Sequence, residues 1–285
     1  MMSKVDLHIH TTASDGSDSP QQLVEVAKKA GLATFSITDH DSMEGAKEVL
    51  YNPPSGIRYI PGIELSAEVH GNLCHIVGYG YRPESKELQR AIGEVREKRL
   101  WKTNRRMEIL KEKYGIAFTN EEQEFIHRQS SPGRPHLGEV LVARGLVSSV
   151  SEAFDKYLNG PPFHLLPGSA RIPGKMAVES IQMAGGIAGW AHPLGGEGER
   201  HLTATEFENR LHLLLAAGVQ ALECYYSKYT LEEVSFLVEQ AEKHGLLISG
   251  GSDYHGTIKR GIALGMLNEE KEPVEPEQLT ILKYL

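Results

Sequence analysis

Six short apolar segments, each carrying a histidine or a carboxylate or followed by one within a few residues, constrain this chain more than any other feature. They are Val5–His10, Ala33–Thr38, Ile57–Ser66, Leu73–Tyr79, Gly186–Ala191 and Leu246–Gly250, and helical patterns separate most of them. In a strand successive side chains alternate faces, so His8 and His10 share one face while Leu7 and Ile9 pack on the other. The helix after the first segment opens at Ser19, with Pro20 in its first turn and Gln22 at the capping-box position. Its apolar residues Leu23, Val24, Ala27 and Ala30 keep helical spacing up to Gly31. Repeated βα units with polar residues at strand ends predict a barrel whose site lies on the carboxyl-terminal face of its strands.

Between Pro83 and Pro167 the pattern changes. A long charge-rich helix is predicted over Ser85–Tyr114, then helices over Glu121–Gln129, His136–Arg144 and Ser149–Leu158, the last with Ser149 and Glu152 as a capping box. No strand is predicted there, so residues 83–167 read as a helical insertion within a barrel of residues 1–82 and 168–285. Beyond it, helices over Lys175–Ala184, Glu206–Ala217 and Thr230–His244 alternate with strands again, one of which, Gln220–Tyr225, carries Glu223.

The metal-capable residues at the strand ends are His8, His10, Asp15, His40, Glu64, His75, His192, Asp253 and His255. Any one has a structural reading: a single histidine on an apolar face is commonly a core residue, Asp15-Gly16 is a turn signal, and Asp39 or Asp41 could cap a helix. Together they form a nitrogen–oxygen ligand set without thiolate, too large for one ion and suited to two or three with open positions. Such clustered ions generate hydroxide near neutral pH and clamp phosphoryl oxygens.

Composition agrees with an enzyme of this kind. Hydrophobic residues make up 40% and charged residues 24% of 285, ordinary for a globular enzyme. A net charge of −8 argues against a protein that coats nucleic acid non-specifically. The first strand begins within a few residues and no apolar run is long enough to span a bilayer, so neither a signal peptide nor a membrane segment is expected. Cys74 and Cys224 are too few for a disulfide framework, which points to a reducing cytoplasm.

The motifs Asp6-Leu-His-Ile-His-Thr11, Ile37-Thr-Asp-His-Asp41, Pro61-Gly-Ile-Glu-Leu-Ser66, Ala191-His-Pro193 and Gly251-Ser-Asp-Tyr-His255 resemble those of the polymerase-and-histidinol-phosphatase (PHP) family. The resemblance implies an α/β fold, a distorted (β/α)7 barrel with a trinuclear metal centre. His8, His10, Glu64 and Asp253 would hold the first ion. Glu64 would bridge to a second, completed by His75 and His192, and Asp15, His40 and His255 would hold a third. Many family members carry histidine where this chain has Asp15, a harder ligand that favours manganese over zinc or iron.

Within the insertion, Ser131-Pro-Gly-Arg-Pro-His136 resembles a motif of the nucleotide-directed branch, notably the nucleoside 3′,5′-bisphosphate phosphatases. Arg134 then reads as a phosphate clamp and His136 as a proton or hydrogen-bond donor, against the plainer reading of a turn before a helix. Glu64 and Asp253 are the other expected catalytic residues. His201, next to Arg200 after a glycine-rich loop, is a second candidate phosphate contact; the alternative is a simple connector. Arg96, Lys98, Arg99, Lys102, Arg105 and Arg106 form the one basic concentration in an acidic chain. Arg99, Lys102 and Arg106 share a helix face, read first as a solvated face and second as a rim for a polyanion. Trp101 could stack a base but is more often a packing residue.

The resemblance thus implies a metal-dependent phosphatase acting on a nucleoside 3′,5′-bisphosphate, a small-molecule partner. A 5′-3′ exoribonuclease or phosphodiesterase on short RNA or cyclic phosphates is the near alternative. A non-catalytic metal-binding module and a metal-dependent amidohydrolase are the readings from other classes. No membrane and no stable protein partner are expected.

Overall fold

The computed structural model describes residues 2–160, 163, 166, 170–196 and 200–285. His164, the junction at residues 167 and 168, and Gly198 of the glycine-rich loop lie outside the described residues. The chain divides into two units, Met1–Ile92 with Ile172–Leu285, and Gly93–Arg171.

The first unit is built on one mixed sheet. Its strands are β1 (Val5–Ile9), β2 (Thr34–Ile37), β3 (Arg58–Val69), β4 (Asn72–Tyr79), β5 (Ile172–Pro173), β6 (Ile187–Ala191), β7 (Ala221–Tyr226) and β8 (Leu247–Gly251). Seven follow the path β1-β2-β3-β4-β6-β7-β8, and the two-residue β5 pairs with β3 off that path. Beyond β8 the chain returns to β1: Asp253 N donates to His8 O at 2.8 Å and His10 N to Tyr254 O at 2.9 Å. These bonds bring the sheet nearly to closure, the distorted barrel expected. Its irregularity lies at β4, which runs antiparallel to both β3 and β6. Gly71, at φ 76°, makes the β3–β4 turn. His75 therefore reaches the site from the early part of its strand, in register with Ser66 of β3 and Ala191 of β6.

Local sequence accounts for the outer layer. Helix α1 (Pro20–Ala30) starts at Ser19, whose hydroxyl accepts from Gln22 N while Gln22 Oε1 accepts from Ser19 N. It ends at Gly31 in the left-handed conformation, which glycine adopts without steric cost. Leu23, Val24 and Ala27 of α1 pack with Ile9, Phe35 and Ile37 in one buried cluster. Thr203 and Thr230 cap the helices Ala204–Ala216 and Leu231–Lys243 in the same reciprocal way. Helix α2 (Glu44–Tyr51) has no side-chain cap, and Met43 precedes it. Asp41 reaches across to β3, where it accepts from Ser66 N and Oγ.

The second unit is helical. Helix α3 (Lys86–Tyr114) runs into it, followed by α4 (Asn120–Arg128), α5 (Arg134–Ala143) and α6 (Val150–Ala153), which continues as a wider turn over Phe154–Leu158. Its own core collects Leu110, Ile126, Leu137, Leu141 and Leu158, all fully buried. At Ser149 only half of the capping box forms. The hydroxyl accepts from Glu152 N, but the Glu152 carboxylate turns to Ser148.

Candidate metal centre

Glu64 sits at the middle of the site, 1% exposed, and its two oxygens face two different groups of histidines. Oε2 stands 3.2 Å from His8 Nε2, 3.2 Å from His10 Nε2 and 3.0 Å from His40 Nδ1. Oε1 stands 3.1 Å from His75 Nδ1 and 3.0 Å from His192 Nε2. Asp253 Oδ1 completes the first group, 3.3 Å from His10 Nε2 and 3.8 Å from His8 Nε2. Asp15 draws a third group together, 3.5 Å from His10, 3.4 Å from His255 and 3.9 Å from His40. All nine residues expected from the sequence therefore meet in one place.

The donor set fits divalent ions. His8 with His10 and Glu64, His40 with Glu64 and His75, and His10 with Asp15, His40 and His255 each bring one ligand atom per residue within 4.8 Å of the others. Among the described residues, Glu64 Oε2 and His40 Nδ1 are buried without a hydrogen bond, although nitrogens surround the oxygen at about hydrogen-bond distance. Buried polar atoms are rarely left so. Atoms that converge without the angles of hydrogen bonds are disposed as ligands of a common centre.

Electrostatics keeps the carboxylates anionic. Burial would raise Glu64, but His40, His8 and His75 hold it well below the usual carboxylate range. Burial likewise opposes the charge of Asp253, which Lys259 and His255 keep well below that range. Lys259 Nζ lies 2.6 Å from Asp253 Oδ2. Asp15 is held down, against burial, by His40 and His255. Burial also works against charge on His10, but Asp253 and Glu64 outweigh it and hold its pKa at about 9.

A surrounding layer fixes the ligands. Glu223 on β7 is fully buried and joins two of them: Oε1 lies 2.8 Å from His8 Nδ1, and Oε2 accepts from His192 N at 2.6 Å. A carboxylate behind a metal-ligating imidazole sets its tautomer and orientation. Sequence reasoning placed Glu223 on a strand without giving it a role; the missed signal is an acid with apolar neighbours at Leu222 and Cys224. Asp39 accepts from Thr11 N, Thr11 Oγ1 and Ser14 Oγ, each at 2.7 Å. Asp6 accepts from Ser252 N, Ser252 Oγ and Gly265 N, and its burial pushes its pKa up to about 6. Asp41, His192 and Asp253 hold φ of 51°, 29° and 58°. Such strain persists only where surrounding structure over-determines it.

Beside His75 and His192 lies a cavity of about 260 Å³, lined also by Arg200 and Arg210. His201 points elsewhere: it is exposed and pairs with Glu233 at 2.9 Å. Tyr254, between Asp253 and His255, is half-buried and donates to Asp18 Oδ2 at 2.9 Å. In the helical unit, Arg134 Nη1 donates to Asn159 Oδ1 at 2.6 Å, and its guanidinium lies 4.9 Å from the Phe154 ring centre. His136 is buried, and its Nδ1 accepts from Gly133 N at 3.2 Å. In the neutral ring the proton therefore sits on Nε2. Trp101 is half-exposed rather than packed.

Comparison with known proteins follows this geometry. The PHP domain model matches residues 6–159. A 3′,5′-nucleoside bisphosphate phosphatase of Chromobacterium violaceum is 31% identical over 93% of this chain and 91% of its own. A 5′-3′ exoribonuclease of Haemophilus influenzae is 32% identical over 94% and 97%. Among solved structures, a chain from Bifidobacterium adolescentis described as a metal-dependent phosphoesterase superposes with a TM-score of 0.78 at 28% identity, covering 94% of this chain and 93% of that one. A Chromobacterium violaceum structure described as an amidohydrolase, with bound sulfate and no metal, gives 0.78 at 29% identity over 99% and 95%. The chain belongs to the PHP domain family.

Proposed function

We propose that the protein is a metal-dependent phosphoesterase that hydrolyses a nucleoside 3′,5′-bisphosphate to a nucleoside monophosphate and inorganic phosphate. The observation that carries this reading is Glu64, whose two oxygens serve two histidine groups at 3.0–3.2 Å, as a bridging carboxylate must. Relatives named as a bisphosphate phosphatase, an exoribonuclease and a cyclic phosphodiesterase all act on phosphate esters, which supports the reaction class.

His8, His10, Glu64 and Asp253 would hold one ion, Glu64 with His75 and His192 a second, and Asp15, His40 and His255 a third. The charge count of the ligands and the hard oxygen of Asp15 favour manganese, with zinc and iron as alternatives. When bound, divalent ions at such a centre supply hydroxide near neutral pH and neutralise charge on phosphoryl oxygens. Glu223 holds His8 in the orientation its ligand nitrogen needs. Residues 83–167 supply substrate-binding residues in this reading, Arg134 as a clamp for a phosphate and His136, with its proton on Nε2, as a proton or hydrogen-bond donor to substrate. Arg200, lining the cavity beside His192, contacts a second phosphate, whereas His201 is turned to Glu233 and takes no part.

Cys74 and Cys224 are both buried free thiols, which suits a reducing cytoplasm. Among the described residues no helix is long and apolar enough to cross a membrane. A second reading, trimming of short 5′-phosphorylated RNA, is favoured by the exoribonuclease relative that matches nearly end to end. The test is phosphate release from adenosine 3′,5′-bisphosphate by manganese-loaded protein against a chelated control. Chelator-sensitive release supports the reading. No release from metal-loaded protein rejects this substrate and moves the reaction to phosphodiesters.

A further inference from the structure

We propose that the helical unit carries an anion site of its own, formed by Arg99, Lys102, Arg106, Arg134 and Arg171, which takes the phosphate monoester dianion of a nucleotide without help from a metal. It rests on the phosphate-clamp reading of Arg134 and extends it to four further cations.

Three of these residues follow one another at three- and four-residue spacing along α3 and so share a face. Arg99 brings Nη1 within 3.7 Å of the point where a side chain would begin at Gly133, the residue that opens α5. That places its charge at the positive end of the α5 dipole. Arg134, the first residue of α5, is held by Asn159 and by the Phe154 ring. Lys98 ties the fifth cation to the same helix, its Nζ donating to Arg171 O at 2.9 Å. Arg106 Nε is buried and makes no hydrogen bond among the described residues.

Like charges gathered this way oppose each other. Lys102 is held below its ordinary pKa by burial and then by Arg106, Arg171, Arg134 and Arg99. Arg106 is driven down to about 10 by burial and by Arg134 and Arg99. Partly desolvated cations repel more strongly than solvated ones, and a chain of net charge −8 has no general surplus of positive charge to place there. A dianion set among them turns the repulsion into attraction, and planar guanidinium forks suit phosphate oxygens. The plainer reading of this run as a solvated face does not account for a buried, unbonded guanidinium nitrogen.

The experiment is calorimetric titration of the full chain, stripped of metal with EDTA, using adenosine 3′,5′-bisphosphate and adenosine at 50 and 200 mM salt. The bisphosphate is expected to bind, more weakly at the higher salt, and adenosine not to bind measurably. Lys102→Gln and Arg106→Gln are each expected to weaken binding at least tenfold. Lys102 is only half-buried, so its variant remains informative if Arg106→Gln fails to fold. Absence of binding by metal-free wild type, or affinity within twofold of wild type in Lys102→Gln, overturns the site. Phosphate release by manganese-loaded wild type separates the two ideas. Release without metal-free binding removes the anion site and leaves the hydrolytic reading; metal-free binding without release does the reverse.

Discussion

Glu64 concentrates the chemistry of the molecule into two oxygen atoms, so the smallest change there is the most telling. Glu64→Gln keeps shape but replaces one anionic oxygen by an amide that cannot bridge. Bound metal, read by plasma mass spectrometry, should fall by at least one equivalent, and phosphate release should drop by two or more orders of magnitude. Asp253→Ala should do the same through the first group. Near-wild-type turnover in either variant contradicts the bridge. Glu223→Gln acts one step back, through His8 Nδ1 and His192 N. Loss of such a supporting carboxylate costs about 10–100-fold in metal affinity or activity, which equilibrium metal titration would measure. Arg134→Ala should chiefly raise KM for the bisphosphate and leave metal content unchanged. The nine residues of the cluster were legible because each lies on an apolar segment or in the few residues after one, a pattern that chance does not repeat so often. Glu223, Asp39 and Asp6 carry the layer behind them and were not legible. A buried acid acquires its meaning only from what lies across the barrel, as Asp6 does from Ser252 and Gly265.

Elements hold these residues to a tolerance that side chains alone could not set. The end of β8 passes so near β1 that a Cβ on Gly251 would lie 2.2 Å from His8 Cβ and 2.3 Å from His8 N. Real Cβ atoms do not approach backbone so closely, hence Gly251→Ala must push the two strands apart at the ligand His8. The expected result is a fold that survives with a lowered melting temperature and weakened metal binding, seen in thermal unfolding with and without manganese. Unchanged metal affinity contradicts the strand contact as a support for the site. Trp190 on β6 stacks on Phe207 at 5.4 Å between ring centres. Trp190→Ala should cost about 3–5 kcal/mol, as large aromatic truncations in cores do. At this scale the sequence was read well at Ser19 and Thr230, where capping was reciprocal, while the equally reciprocal cap at Thr203 was passed over and its helix was expected to start at Glu206. It was read poorly where capping was absent, since α2 begins at Met43 with no side-chain bond. The antiparallel course of β4 was equally invisible, because alternation in a strand is the same in either direction.

Across the whole molecule, metal-capable residues from β1, β3, β4 and the segments after β1, β2, β6 and β8 meet in one small cluster of the first unit. Anything that binds such a centre in the folded state alone stabilises the fold by mass action, about 2.7 kcal/mol at a hundredfold excess over Kd. Chelation should therefore lower the melting temperature by several degrees, and a scan of the Glu64→Gln variant should show a smaller difference. The barrel of the first unit was foreshadowed by the alternation of strands and helices on either side of residues 83–167. The convergence of Arg134 and Arg171 on the face of Arg99, Lys102 and Arg106 was not, since Arg171 lies some 65 residues further along the chain than Arg106. The most direct measurement is phosphate release from adenosine 3′,5′-bisphosphate as manganese is added back, equivalent by equivalent, to chelated protein. The account predicts no turnover without metal and a rise to a plateau at two or three equivalents. Turnover by fully chelated protein, or none at any loading, would contradict it.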